Sequence, residues 1–122
     1  MRKIVVSVFV LFNALLSNAQ HLNVRLGNFS GPNEPSICIN PKNTQQMMAG
    51  SNLNFWYYSE DGGYTWLSDI LQSPEHGVWG DPVIIADTAG DFYFFHLANP
   101  VSGNWIDRIV CQKFDKLSKT WS

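Results

Sequence analysis

The stretch "SEDGGYTW", Ser59 to Trp66, decides how the rest of the chain is read. It joins two β-rich runs, "FWYYSE" before it and "TWLSDIL" after it. Its chemistry is that of a tight turn. The Asp61 carboxylate can accept hydrogen bonds from backbone N–H groups of its own turn. Gly62 and Gly63 take positive φ without a steric cost. Thr65 is β-branched and suits the outgoing strand. Trp66 is expected to bury its ring between neighbouring sheets. The competing reading makes Asp61 a catalytic acid, but turn chemistry accounts for every residue without it.

Working outward, the remaining chain reads as short strands and turns. "HLNVRLGNF" alternates, with Leu22, Val24 and Leu26 on one side, and is expected as a half-buried strand. "GPNEP" breaks it, "PSICIN" is a short β-rich run, and "NPKNT" is a turn composition. "QMMAGSN" and "FWYYSE" follow, then "TWLSDIL" and the loop "QSPEHGVWGD". "PVIIAD" is expected as a buried strand, "FYFFHLA" and "IDRIVCQKF" as further strands, and "TWS" as the start of another. No useful run of 3.6-residue periodicity follows the first twenty residues, so the class is all-β with antiparallel strands.

The pattern repeats. Glu34-Pro35 matches Asp81-Pro82 at an offset of 47, which also pairs Ile37 with Ile84, Asn40 with Asp87 and Asn52 with Asn99. Thr65-Trp66 matches Thr120-Trp121 at an offset of 55, so the second unit carries eight extra residues between Asn99 and Thr120. Units of about 40–50 residues with four strands each are the pattern of propeller blades.

Ser59, Asp61, Gly63, Thr65 and Trp66 fit S-x-D-x-G-x-T-W, the Asp-box of the bacterial neuraminidase repeat. The chain resembles the sialidase-like β-propellers over roughly Glu34 to Ser122, and "FDKLSKTW" keeps Thr120 and Trp121 of a second box. The resemblance implies a first blade with its Asp-box over residues 34–72, and an inter-blade loop with a second, incomplete blade over 73–122. Residues 20–33 would be an N-terminal strand and linker. Propellers close with about 4–8 blades, so the remaining blades are expected from sequence beyond Ser122 and the chain is read as a fragment. Family sialidases hold the substrate carboxylate with three arginines and use a Tyr/Glu nucleophile pair. Only Arg25 and Arg108 follow the leader here, "NEPSI" stands where an R-I-P motif is expected, and the Tyr/Glu pair would lie in later blades.

The first residues are a leader. Arg2 and Lys3 precede a mostly apolar run from Ile4 to Leu16, followed by Ser17-Asn18-Ala19. That is the layout of a signal peptide over residues 1–19, too short in its apolar part for a membrane span. A secreted, periplasmic or cell-surface protein is expected. Cleavage after Ala19 removes two of the eight basic residues and none of the ten acidic ones, for a net charge of −4. No basic patch remains, which argues against a nucleic-acid partner. Cys38 and Cys111 sit in apolar runs and are preferred as two buried free thiols, with a disulfide the alternative that export permits. No Cys/His spacing suits a metal, and no cofactor is expected.

The Asp-box turn also orients the search for a site. In an up-and-down blade it lies at the end opposite the link "SDILQSPEHGVWGD" and the loop "NPVSGNWID", which holds the extra residues. Long loops on a rigid scaffold are where binding and catalysis concentrate. Glu75 and Asp81 are the candidate catalytic acids, and His76, Trp79, His96, Trp105 and Arg108 the candidate substrate-binding residues. Carboxylates beside aromatic rings are what a sugar site uses. Each also has a plain structural reading: Asp81 ending a loop before Pro82, Trp79 plugging a gap between blades. The expected function is a secreted sialidase-like glycoside hydrolase acting on terminal sugars of glycans. The alternatives are a non-catalytic glycan- or protein-binding propeller and a structural or adhesion domain.

Overall fold

The computed structural model describes residues 22–122, so the leader expected at 1–19 lies outside the described residues. Eight strands follow in chain order: β1 (Ser36–Ile39), β2 (Met47–Ser51), β3 (Phe55–Ser59), β4 (Leu67–Ile70), β5 (Gly80–Ala86), β6 (Phe92–Leu97), β7 (Ile109–Asp115) and β8 (Thr120–Trp121). They form two four-stranded antiparallel sheets, β1-β2-β3-β4 and β5-β6-β7-β8. The described residues contain no helix, and hence none able to cross a membrane.

The core lies between the two sheets. Met48 of β2 and Trp56 and Tyr58 of β3 pack against Ile84, Phe92, Phe94 and Phe114 of the second sheet. Trp56 and Tyr58 place their rings 5.4 and 5.0 Å from that of Phe114. Full burial of a large apolar side chain stabilises a fold by about 1.5–3 kcal/mol, so these aromatics hold the sheets together. The approach is close at β2: a Cβ on Gly50 would sit 2.8 Å from the Phe94 ring. The inner strands are also tied directly, the Ile84 N–H donating to Ser36 Oγ at 2.9 Å.

Three expectations are corrected. The run from Leu22 to Phe29 joins no sheet. It lies against the first sheet through side chains instead, with Phe29 stacked on Phe55 at 4.2 Å and Gly27 against Tyr57 and Ser68. The strand expected as buried, "PVIIAD", alternates: Pro82 and Ile84 are buried, while Val83 and Ile85 face out. Both cysteines are free, but only Cys38 packs on the core; Cys111 is exposed on β7, where every second residue points outward.

The two ends of the sheets differ. At one end the β1–β2 and β3–β4 turns meet, the Gly62 N–H donating to Gln45 O at 2.9 Å. There Lys119 pairs with Glu60, joining the turns of both sheets, and Lys116 Nζ donates to Gly90 O, joining the two turns of the second sheet. At the other end lie Asn52–Asn54, the link 71–79 and the loop 98–108. Backbone hydrogen bonds from Leu71 N–H to Asn54 O and from Asn99 N–H to His76 O lace them together.

Candidate functional site

Asp61 is a turn group. Its carboxylate accepts from Ser59 Oγ (2.8 Å), from the Thr65 N–H (2.9 Å) and from the Thr65 hydroxyl. These bonds, the Thr65 hydroxyl first, hold its pKa down at about 2. A carboxylate kept ionised in this way is an acceptor and a poor proton donor. Gly62 and Gly63 have φ of +74° and +91°. Trp66 departs from expectation. It is half-buried, outside the inter-sheet core, and its Nε1 donates to Gly63 O at 2.8 Å. The indole that enters between the sheets is Trp121, 6.0 Å from Trp56 and 5.6 Å from Phe94.

The loop end brings together most of the candidate site residues. Glu75, His76, Asp107 and Arg108 line one cleft of about 220 Å³ with Ala98, Pro100, Ser102 and Gly103. Glu75, His76 and Arg108 also border an adjoining cleft of about 470 Å³ that runs to Gln112 and Trp121. Trp79 and Trp105, carried on the same two loops, meet edge to face at 4.8 Å and remain 38% and 58% exposed. The pair leaves part of each ring surface open to solvent beside the cleft.

Local backbone chemistry sets this geometry. Trp79 N–H donates to Leu97 O, Ala98 N–H to Arg108 O, and Ile106 N–H to Ala98 O. Gly77, at φ +62°, lies so near the second loop that a Cβ there would be 1.9 Å from Asn99 O. Only glycine allows the two loops to dock. Gly77 and Ser102 were not singled out in the sequence; the one available signal was a glycine inside an otherwise bulky link.

The charges are unevenly committed. Arg108 grips Asp107 with two parallel hydrogen bonds, Nε to Oδ1 at 2.9 Å and Nη2 to Oδ2 at 2.6 Å. That fork holds the Asp107 carboxyl below the usual range and pushes Arg108 further up. Glu75, with its side chain 86% exposed, stands 3.8 Å from His76 Nε2. Asp81 is elsewhere in the network: its N–H donates to Asn52 Oδ1 at 2.8 Å, and Asn52 Nδ2 donates to Glu34. Asp81 and Glu34 share a positive φ, 52° and 50°, each just before a proline. The repeat at offset 47 therefore extends to a conformation rare for non-glycine residues.

His96 does not belong to the accessible site. It is 1% exposed, with Nδ1 3.0 Å from Leu97 O and Nε2 3.1 Å from Gln112 Oε1. Gln112 in turn donates to Gln72 O, so the imidazole ties β6 and β7 to the link. It lies on the buried side of the alternating β6, in the same parity as Phe92 and Phe94.

A third cleft, about 480 Å³, lies between the N-terminal segment and the first sheet. Its lining contains no carboxylate, and its polar floor is the buried Ser51–Tyr57 hydroxyl pair at 3.2 Å. No group of three or more His, Cys, Asp or Glu side chains suited to a metal ion occurs among the described residues. Comparison with family models, with curated proteins and with solved structures gave no match.

Proposed function

We propose that the two sheets are blades of a sialidase-like β-propeller and that the loop end binds glycans outside the cell. The observation that carries the reading is the open Trp79–Trp105 pair on the loops that form the Glu75–His76–Asp107–Arg108 cleft. Flat indoles stack on sugar rings, and the neighbouring carboxylate, imidazole and Ser102 hydroxyl supply hydrogen bonds to sugar hydroxyls. The Asp-box at the opposite end supports the propeller reading. Glycan-array binding by the full chain tests it. Binding is expected, with a loss of at least about tenfold in Trp79→Ala and Trp105→Ala, about what stacking on one ring contributes. Equal binding by both variants and wild type would remove the loop end from the function.

A glycoside hydrolase is the second reading, and Glu75 is the observation behind it. Asp107 is locked as an ion by Arg108, and Asp81, whose backbone N–H rather than its carboxylate binds Asn52, lines neither loop-end cleft, so Glu75 is the remaining acid of the cleft. Release of a fluorophore from synthetic glycosides that is abolished in Glu75→Gln would establish catalysis. Binding without turnover would leave the chain a glycan-binding module. For export, N-terminal sequencing of the secreted protein should begin at Gln20.

A further inference from the structure

Resting on the glycan reading, we infer that the loop-end cleft selects a neutral sugar over a carboxylate-bearing one. The reason is the distribution of positive charge. A sugar carboxylate is best held by a free guanidinium fork, which matches it with two parallel hydrogen bonds. The guanidinium at this cleft already spends that fork on Asp107, through both Nε and Nη2. Arg25 sits on the N-terminal segment, its Nε donating to Gly27 O, and lines the separate cleft against the first sheet.

No lysine compensates. The lining of the two loop-end clefts contains none. Lys42 lies in the β1–β2 turn, and Lys113, Lys116 and Lys119 reach carboxylates of Asp91 and Glu60 at the turn end. With Asp107 and Arg108 cancelling each other, Glu75 leaves the cleft with one uncompensated negative charge. An incoming carboxylate meets that charge and finds no partner. A neutral pyranose meets the Ser102 hydroxyl and the His76 imidazole, donors and acceptors that ask for no charge, with the Trp79–Trp105 pair on the same two loops beside the cleft.

The test uses a matched pair of immobilised glycans, N-acetyllactosamine and its sialylated form, with the full chain at pH 7.5 and low salt. One like charge at contact distance across water corresponds to roughly a tenfold difference in affinity, fading as salt is added. Wild type is expected to prefer the neutral glycan by about that factor. Asp107→Asn frees the Arg108 fork and is expected to raise binding of the sialylated glycan until the preference is lost or reversed. Because that variant could disturb the loop, Glu75→Gln provides a second arm: its side chain is almost fully exposed, and removing its charge is expected to narrow the preference. Sialylated binding by wild type equal to or tighter than neutral binding overturns the inference and leaves glycan recognition standing. Binding of neither glycan, with Trp79→Ala and Trp105→Ala indistinguishable from wild type, removes both.

Discussion

Two turns at the same end of the molecule, Glu60–Trp66 and Lys116–Trp121, close their sheets with the same Thr-Trp pair and use it in opposite ways. In the first, Asp61 gathers Ser59 and Thr65 around its carboxylate, and Trp66 folds back to donate to Gly63 O. In the second, Asp115 does the gathering, accepting from the Leu117 and Ser118 N–H groups, and Lys119 takes the positive φ, 58°. No Gly63 equivalent is present, and Trp121 turns into the core against Trp56, Phe94 and Phe114, with its buried Nε1 unpartnered. The difference teaches that the dipeptide alone fixes neither the strand, which begins after it at Leu67 in one sheet and on it in the other, nor the place of its indole; the neighbours decide both. A ring that finds a local acceptor stays at the turn; one that does not is driven by apolar burial into the space between sheets.

The comparison can be broken most sharply at the two tryptophans. Trp121 is half-buried but packs on Trp56, Phe94 and Phe114, so Trp121→Ala should cost about 2–4 kcal/mol. Trp66→Ala should cost about 1–2 kcal/mol, a hydrogen bond and partial burial. Urea unfolding of both variants checks the ratio, and equal losses would erase the distinction. Next in size is Gly77→Ala at the loop end, where a Cβ meets the Asn99 carbonyl; about 2–3 kcal/mol is expected, with loss of the glycan binding proposed for that end while the core remains folded by near-UV circular dichroism. Gly63→Ala should cost about 1–2 kcal/mol, since its φ of +91° excludes a side chain. Lys119, by contrast, accepts a side chain at 58°, so Lys119→Ala should cost only about 0.5–1 kcal/mol by the same unfolding measurement, the contribution of its Glu60 ion pair and its place over the Tyr58 ring.

The smallest effect is acid sensitivity. Asp61 is held at about 2 against an ordinary 3.8. A carboxylate with a depressed folded-state value stabilises the fold above its ordinary value and loses that contribution as pH falls through the folded one. Stability should therefore decline between pH 3.8 and 2. Asp61→Asn should be less stable at neutral pH and show a shallower decline in that window. A decline identical to wild type would mean that Asp61 carries no linked proton.

The strands were legible in the sequence because their signals are local. β1 to β8 fall on the β-rich runs, and the turn chemistry of Asp61 uses partners two to four residues away. The Leu22–Phe29 run misled, because alternation alone cannot say whether a sheet edge is there to receive it; a packed face of aromatics was. His96 misled for a related reason: its place beside a loop was visible, but its parity with Phe92 and Phe94 outweighed it. Within the candidate site, the sharing of one end by the link and the long loop was readable from strand order. The pairing of Asp107 with Arg108, and the separation of Glu75 from Asp81, were not.

By itself, then, the amino-acid sequence determined an all-β chain of two repeated four-strand units and the hydrogen-bonding plan of its turns, because these depend on side chains within a few residues of one another. Only the tertiary structure decided which tryptophan enters the core, that His96 is sealed inside, and that Arg108 is committed to Asp107 beside an open pair of indoles. Those outcomes depend on competition for burial and for partners among groups that folding gathers, Trp121 against the distant Trp56, His96 against Gln112, and the loop of Asp107 and Arg108 against the link.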